Sequence, residues 1–135
     1  MSSDIPSSDE LVSRAIKLLP SLKARASHCE DLRQIPGETV DDYINAGFLR
    51  MAVPKKFGGY GYGLDTIVRI GMEVGRGCGS SAWMAGQWPG PQFMFSYFSD
   101  EAQQLVWGDW PDVLSSTASA QAKVDVQPER GGCLQ

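Results

Sequence analysis

The stretch "PKKFGGYGYGLD", residues 54–65, holds four glycines within six positions, Gly58, Gly59, Gly61 and Gly63. Such a loop can hold a phosphate with its backbone N–H groups, as glycine-rich turns in nucleotide enzymes do. It can equally let the chain bend where a side chain would be strained. The spacing of the glycines and the segments on either side of the loop decide between these interpretations.

The spacing does not fit either common phosphate-binding motif. A G-x-G-x-x-G motif would need a third glycine at a position that Leu64 or Thr66 occupies. A P-loop would need Gly-Lys-Ser/Thr at its end, whereas Lys55 and Lys56 precede the glycines. The loop is therefore predicted to be a tight connector.

Helical patterns precede the loop. Ser7 and Glu10 have the spacing of a capping box and predict the start of an amphipathic helix. We expect this helix to be kinked or broken at Pro20, because proline lacks an N–H and clashes with the preceding turn. A second, short helix is predicted from about Gly37 to Ala46, with Gly47 just after its end.

An extended connector, residues 48–54, is predicted to join the second helix to the glycine loop. Its apolar residues are expected to be buried: Phe48, Leu49, Met51 and Val53.

Helical patterns also follow the loop. Asp65 is the predicted N-cap of a third helix. The apolar face of that helix is expected to contain Ile67, Ile70, Met72 and Val74. An aromatic segment is predicted to start at Ser80 or Ser81, and Ser99 is the predicted N-cap of the last helix.

The composition changes after Trp110. Residues 113–135 are rich in small, hydroxylated and β-branched residues, with near alternation in "KVDVQ", which is typical of a strand. We therefore expect a disordered tail at residues 1–8, a helical domain at residues 9–111, and the truncated start of a β domain at residues 112–135.

Composition and charge exclude several partners. The 135-residue chain has a formal net charge of −4, and its lysines and arginines are scattered, which argues against nucleic acid. The polar, acidic N-terminus is unlike a signal peptide, and no apolar run is long enough to span a membrane. We expect a cytoplasmic protein with no membrane partner.

The three cysteines, Cys29, Cys78 and Cys133, are far apart in the sequence and form no C-x-x-C pair. This pattern predicts neither a disulfide framework nor a metal site, and buried free thiols are the expected state. The single histidine, His28, is expected at the surface.

Three segments resemble a known superfamily. "GFLRMAVPKKFGGYG" (47–61), "VGRGCGSSAWMAGQWPG" (74–90) and "LSSTASA" (114–120) are similar to segments of acyl-CoA dehydrogenase-like flavoproteins. The second and third segments resemble the flavin-dependent monooxygenase branch, which includes the 4-hydroxyphenylacetate 3-hydroxylase oxygenases and dibenzothiophene monooxygenases. The resemblance extends from about Leu11 to Gly132.

This resemblance implies a mainly α fold, the N-terminal helical domain of the superfamily, followed by the first strands of its middle β domain. It implies a reduced flavin, FMN or FAD, supplied by a separate flavin reductase, that reacts with O2 to hydroxylate a small aromatic substrate. It also implies a homo-oligomer, a tetramer in the family. The isolated chain, which would contain the first domain and only the first strands of the second, is expected to be inactive.

The resemblance also suggests cofactor-binding residues. Trp83 matches a tryptophan near the flavin and substrate pocket, and Ser116, Thr117 and Ser119 match a hydroxyl-rich strand that reaches the flavin ring. Pro91 stands where relatives have a substrate-pocket histidine, so the catalytic residue is left unassigned. From the residues alone, Trp83 could equally pack in the core, and the hydroxyl-rich segment could be an ordinary strand of small residues.

Two alternatives remain open at the level of the sequence. The chain could be a fragment of an acyl-CoA dehydrogenase-type enzyme, whose catalytic carboxylate would then lie beyond residue 135. It could also be a truncated product or a helical interaction domain without catalysis, which Pro91 and the early end of the chain favour.

Overall fold

The computed structural model describes residues 5–109 and residue 112. Within them the chain forms six α-helices and no strand: α1 Ser8–Leu32, α2 Gly37–Ala46, α3 Leu64–Gly75, α4 Gly79–Gln87, α5 Pro89–Phe95 and α6 Asp100–Trp107. The prediction of a mainly helical chain is confirmed. The predicted β region, residues 113–135, lies outside the described residues, and the predicted domain boundaries stay predictions.

Helix α3 is at the centre of the bundle and packs against both α1 and α4. It buries Thr66, Ile67, Ile70 and Val74, which recur at helical spacing and therefore lie on one face. Across that face lie buried residues of the other elements, among them Leu11, Leu22, Tyr43, Phe48 and Ala85.

Helix α1 begins as predicted and then departs from the prediction. The Ser7 side chain accepts a hydrogen bond from the Glu10 N–H at 3.1 Å, which satisfies one unpaired donor of the first turn. The predicted break at Pro20 is wrong, because α1 continues to Leu32. Pro20 is exposed, and so is Ile16, whose carbonyl loses its usual partner and can bond to water instead.

Helix α2 has the predicted bounds, and Gly47 ends it in the left-handed conformation with φ 81°. The four apolar residues that follow are buried as predicted, with Phe48, Leu49, Met51 and Val53 each at most 1% exposed. The extended conformation predicted for this connector is wrong at its start, where Phe48–Arg50 forms a 3-10 turn. The tight turn lets Phe48 and Leu49 both reach the core.

The glycine loop is a bend between α2 and α3, as predicted. Gly58 and Gly61 have positive φ, 81° and 66°, a region that side-chain-bearing residues rarely adopt. A second 3-10 turn, Lys55–Phe57, leads into the loop. The Tyr62 hydroxyl donates to the Pro6 carbonyl at 2.8 Å and ties the end of the loop to the start of the chain.

Two predictions about α3 are wrong in detail. Gly63, not Asp65, is the N-cap, and Asp65 lies in the first turn, where its negative charge still favours the helix N-terminus. Met72 is 70% exposed and lies away from the buried face. Its hydrophobicity was a misleading signal, since Ile67, Ile70 and Val74 already fill the side that faces α1 and α4.

The aromatic segment forms two helices that meet at Trp88. Helix α4 begins at Gly79, one residue before the earliest predicted start, with Cys78 as its N-cap. Pro89 is the first residue of α5 and Pro91 lies in the same first turn, where N–H groups have no partner within the helix. The helix therefore restarts at Pro89, and Pro91 is accommodated. Ser99 caps α6 as predicted, accepting from the Ala102 N–H at 3.3 Å.

Candidate functional site

A groove of about 460 Å³ lies between the end of α1, the segment that leads to α2, and the first turns of α4. We call it the Trp83 groove, and its lining is Cys29, Glu30, Arg33, Gln34, Ile35, Ser80, Trp83 and Met84. It brings together an indole, a guanidinium, a carboxylate, a hydroxyl and a thiol from segments that are distant in the sequence.

Trp83 points away from the core because of its position on α4. Ser81 and Ala85, four residues apart on one face, are the buried residues of this helix. Trp83, two residues from each, lies on another side and is 71% exposed. The core-packing interpretation of Trp83 is therefore wrong within the described part of the chain. A large exposed indole beside a groove is a surface on which a planar ring can stack.

Arg33 lies at the other side of the groove. It is the C-cap of α1 and has φ 53°, and its backbone N–H donates to the Glu30 carbonyl at 3.1 Å. Its side chain is exposed and lines the groove. A guanidinium and an indole in one groove suit a ligand that combines a flat ring with negative charge. Nothing in the sequence pattern had singled out Arg33, because helix C-caps are usually glycine or asparagine.

One buried thiol, that of Cys29, is part of the groove lining. Cys29 on α1 and Cys78 at the start of α4 are both buried free cysteines of the same core cluster. The prediction that these thiols are free and buried is confirmed. Burial raises the pKa of the Cys29 thiol, and the neighbouring Cys78 raises it further.

The pKa of the Cys78 thiol moves the other way. Burial by itself would raise it, but hydrogen bonds from the Ser81 side chain and N–H, from Cys29 and from the Ser80 N–H outweigh burial and lower the pKa. Cys29 therefore keeps its proton more readily than Cys78 does.

Tyr43 contacts the start of α4 from within the core. It is completely buried, and its hydroxyl donates to the Ser81 carbonyl at 2.8 Å. Its ring also meets the Trp88 ring edge to face, with centroids 6.1 Å apart. Burial raises the pKa of the phenol well above its ordinary value, so Tyr43 stays protonated and acts as a fixed donor.

The glycine loop lines a second groove, of about 340 Å³, together with Phe93 and Tyr97 of the α5 region. The loop N–H groups are already used: Tyr60 donates to the Arg50 carbonyl at 2.9 Å, Gly61 to Val53 at 2.9 Å and Tyr62 to Met51 at 2.7 Å. These donors point inward to backbone carbonyls. The connector interpretation of residues 54–65 is thus confirmed by its hydrogen bonds.

The other predicted site residues are distributed as follows. Pro91 is half-buried in α5, and His28 is exposed on α1, as predicted, and is not part of the groove lining. Ser116, Thr117 and Ser119 lie outside the described residues. Over residues 5–109 and 112, no group of three or more histidine, cysteine or acidic side chains could hold a metal ion. Nor is any described helix both long and apolar enough to cross a membrane.

Comparison with protein families gives a match over most of the helical part. The family model described as the acyl-CoA dehydrogenase, N-terminal domain, matches residues 18–107.

Several curated proteins are similar to this chain. A pigment production hydroxylase of a Rhodococcus species is 32% identical over 111 residues, which are 82% of this chain and 29% of that protein. The oxygenase subunit HsaA, a flavin-dependent monooxygenase of Rhodococcus jostii, is 33% identical over 76% of this chain and 27% of its own length. The oxygenase component of an FADH(2)-dependent resorcinol hydroxylase of a Rhizobium species is 28% identical over 84% of this chain and 28% of its own length. This chain spans less than a third of each of these relatives.

Solved structures show the same similarity. The HsaA monooxygenase from M. tuberculosis superposes with a TM-score of 0.75 at 27% identity, over 79% of this chain and 29% of that one. The 3-HSA hydroxylase from Rhodococcus sp. RHA1 superposes with a TM-score of 0.74 at 32% identity, over 79% of this chain and 28% of that one. The helical arrangement described above therefore recurs in both enzymes.

Proposed function

The chain belongs to the family of the acyl-CoA dehydrogenase N-terminal domain, and from this premise we propose that it supplies the helical domain of a flavin-dependent monooxygenase that hydroxylates an aromatic compound. The observation that carries the proposal is the similarity to hydroxylases, at 32% and 33% identity, over about four fifths of the chain. The acyl-CoA dehydrogenase-type reaction is less well supported, because each of these relatives has a hydroxylase or monooxygenase name.

The cofactor proposed is a reduced flavin. When bound, it would supply the electrons that activate O2 for insertion of one oxygen atom into the substrate ring. One relative's name specifies FADH(2), which favours FAD over FMN. Ser116, Thr117 and Ser119 remain proposed flavin-binding residues on the basis of the resemblance alone.

Trp83 is the residue of the described part that we propose to contact the flavin or the aromatic substrate. Its indole is exposed beside a groove large enough for one aromatic ring. The neighbouring Met84 adds an apolar contact, and Arg33 can attract a phenolate or a carboxylate. These side chains bind and orient a ligand; none of the three is suited to general acid or base catalysis.

The proposed partners follow from the relatives' names. A protein called an oxygenase component or oxygenase subunit works with a separate component, which supports a flavin reductase as partner. Resorcinol and p-hydroxyphenylacetate, named in two relatives, are small phenols, which supports a small phenolic substrate. A homotetramer and a cytoplasmic location are proposed from the resemblance.

Pro91 supports a second candidate function, a helical domain that binds a ligand or a partner without catalysis. A proline cannot deprotonate or hydrogen-bond a phenol, and it stands where the resemblance expects a histidine. If the monooxygenase proposal is correct, the proton transfer must come from a residue outside this turn of α5.

Ligand binding to two matched variants tests the proposal. The chain is titrated with FAD and FMN, oxidised and reduced, and with resorcinol, while flavin fluorescence and Trp fluorescence are recorded. Loss of the indole in Trp83→Ala is expected to weaken flavin or resorcinol binding ~10-fold, the size of one aromatic contact. Tyr97→Ala, an equally exposed aromatic residue in the second groove, is the control and should leave binding unchanged.

Two results would contradict the proposal. Absence of saturable binding of every flavin and phenol form would favour the non-catalytic candidate. Equal weakening by both substitutions would show that the Trp83 groove is not the binding site.

A further inference from the structure

Arg33 differs from the other arginines of the described residues in having no carboxylate partner. Within residues 5–109 and 112, its guanidinium forms neither an ion pair nor a side-chain hydrogen bond, and only its backbone N–H is used, toward the Glu30 carbonyl. The remaining described arginines each pair with an aspartate or a glutamate: Arg14, Arg25, Arg50, Arg69 and Arg76. The charge of Arg33 is therefore free to meet a ligand.

The backbone of Arg33 gives a second, independent observation. With φ 53°, it is the one non-glycine residue of the described part that has a positive φ. Glycine adopts this conformation without strain and is the usual residue just after a helix end. Helix termination by itself would therefore favour glycine at position 33, and the arginine side chain must serve something other than the end of α1.

The Trp83 groove shows what that side chain can serve. Arg33 and Trp83 line it from different helices, and its volume of about 460 Å³ is that of a site for a small molecule. The indole offers a face to an aromatic ring, while the planar guanidinium matches the two oxygens of a carboxylate. The exposed hydroxyl of Ser80, in the same lining, can bond to a hydroxyl group on that ring.

The charge of the ligand can be narrowed further. A phenol loses its proton only near pH 10, whereas a carboxyl group loses it near pH 4, so the carboxylate alone is an anion at neutral pH. Glu30 also lines the groove and repels an anion. Since no ion pair joins these two described residues, Glu30 weakens the attraction of Arg33 for an anion without neutralising the guanidinium.

We propose that Arg33 is the specificity-determining residue of the Trp83 groove and selects aromatic carboxylates over neutral phenols of similar size. This inference rests on the proposed function, in which the groove binds the aromatic substrate, and it narrows the class of that substrate. Arg33 binds the carboxylate and Trp83 contacts the ring. Neither residue transfers a proton.

Binding of two matched ligands to the chain tests the proposal. Phenol and 4-hydroxybenzoate share a ring and a hydroxyl group and differ in the carboxylate. Each is titrated while the NMR signal of the Trp83 indole N–H is recorded. We expect 4-hydroxybenzoate to bind ~10-fold more tightly than phenol, the size of one charge-assisted contact at an exposed site. This preference should shrink at high salt, because salt screens exposed charges.

Substitutions at charged positions separate selectivity from stability. Arg33→Gly relieves the left-handed strain and should raise the melting temperature, yet it should remove the ~10-fold preference while phenol binds as before. Arg33→Lys keeps the charge and should retain part of the preference. Glu30→Gln should strengthen binding of 4-hydroxybenzoate. Arg76→Gln is the control, because Arg76 is exposed but does not line the groove, and the preference should be unchanged.

The outcomes distinguish this inference from the proposed function. Equal affinities for the two ligands would overturn the inference, and so would a preference that persists in Arg33→Gly. Weaker binding of both ligands by Trp83→Ala would in either case still support the proposed function. If neither ligand binds, the inference fails, whereas the proposed function stands as long as a flavin binds. Tighter binding of FMN than of riboflavin, lost in Arg33→Gly, would assign the anion to the flavin phosphate and overturn the carboxylate assignment.

Discussion

Gly59 shows how one residue can determine the path of the connector. A Cβ at this position would lie 2.0 Å from the Val53 carbonyl oxygen and 2.4 Å from the Val53 Cβ, closer than any real contact. That carbonyl also accepts the Gly61 N–H, so it cannot move without breaking a hydrogen bond of the loop. The position requires glycine for reasons of space.

Gly59→Ala is accordingly expected to lower the free energy of unfolding by about 1–3 kcal/mol, the usual cost of forcing extra atoms into a packed site. Gly71→Ala is the matched control, because no atom lies within 4 Å of a Cβ there and the residue is inside α3. It should raise stability by about 0.5–1 kcal/mol, since alanine is the better helix former. Urea unfolding followed by circular dichroism measures both. A Gly59→Ala protein as stable as the parent would contradict the prediction.

At the scale of the element, α1 shows that tertiary packing can outweigh the tendency of a proline to break a helix. Pro20 lies in the interior of a 25-residue helix that buries Leu11, Ala15, Leu22 and Cys29 against the other helices. These contacts lie on both sides of Pro20 along the helix, so tertiary packing holds the two halves in line. The lost hydrogen bond lies on the exposed side, where water can replace it.

Pro20→Ala is expected to stabilise the protein by up to about 3 kcal/mol, because it restores an N–H donor and removes the clash with the preceding turn. Thermal unfolding by circular dichroism measures the change. Lys17→Ala, at a nearby exposed position of the same helix, is the control and should shift stability by less than about 0.5 kcal/mol. An unchanged or lower stability of Pro20→Ala would show that proline has an unrecognised packing role.

At the scale of the whole molecule, an ion pair connects distant parts of the chain. Arg50, in the 3-10 turn after α2, donates from Nε and from one terminal nitrogen to the two carboxylate oxygens of Asp112, at 2.7 Å and 2.5 Å. The Asp112 side chain is 4% exposed. The hydrogen bond to Asp112 raises the pKa of the Arg50 guanidinium. The pair holds residue 112 against the connector between α2 and the glycine loop.

Asp112→Asn should therefore destabilise the protein by about 1–3 kcal/mol, because it removes the negative charge of a buried carboxylate that forms a bidentate contact with Arg50. Asp100→Asn is the matched control: Asp100 pairs with Lys56 at 2.5 Å, but its side chain is 87% exposed, and the loss should be under about 1 kcal/mol. Urea unfolding compares the two variants. Equal losses in the free energy of unfolding would show that the burial of Asp112 adds nothing to the stability that its ion pair contributes.

Signals that act within one or two helical turns could be predicted from the sequence. The caps at Ser7 and Ser99, the bounds of α2 and the bend at the glycine loop depend on neighbouring residues, so their side chains and backbone preferences are enough to define them. The resemblance of the loop segment and of the segment around Trp83 to acyl-CoA dehydrogenase-like flavoproteins also indicated the family, which the match over residues 18–107 shows. The site residues in the segment 116–119 stay predictions.

The sequence by itself thus determined that the described part of this chain is helical, where α1, α2 and α6 begin, where α2 ends, and which family the chain belongs to. Only the tertiary structure decided that α1 passes through Pro20, that Trp83 faces a groove, and that Arg33 joins it there. The physical reason is the distance along the chain over which each kind of interaction acts. Capping and turn preferences act between residues that are close in the chain, whereas burial and contact between helices depend on how α1, α3 and α4 pack together.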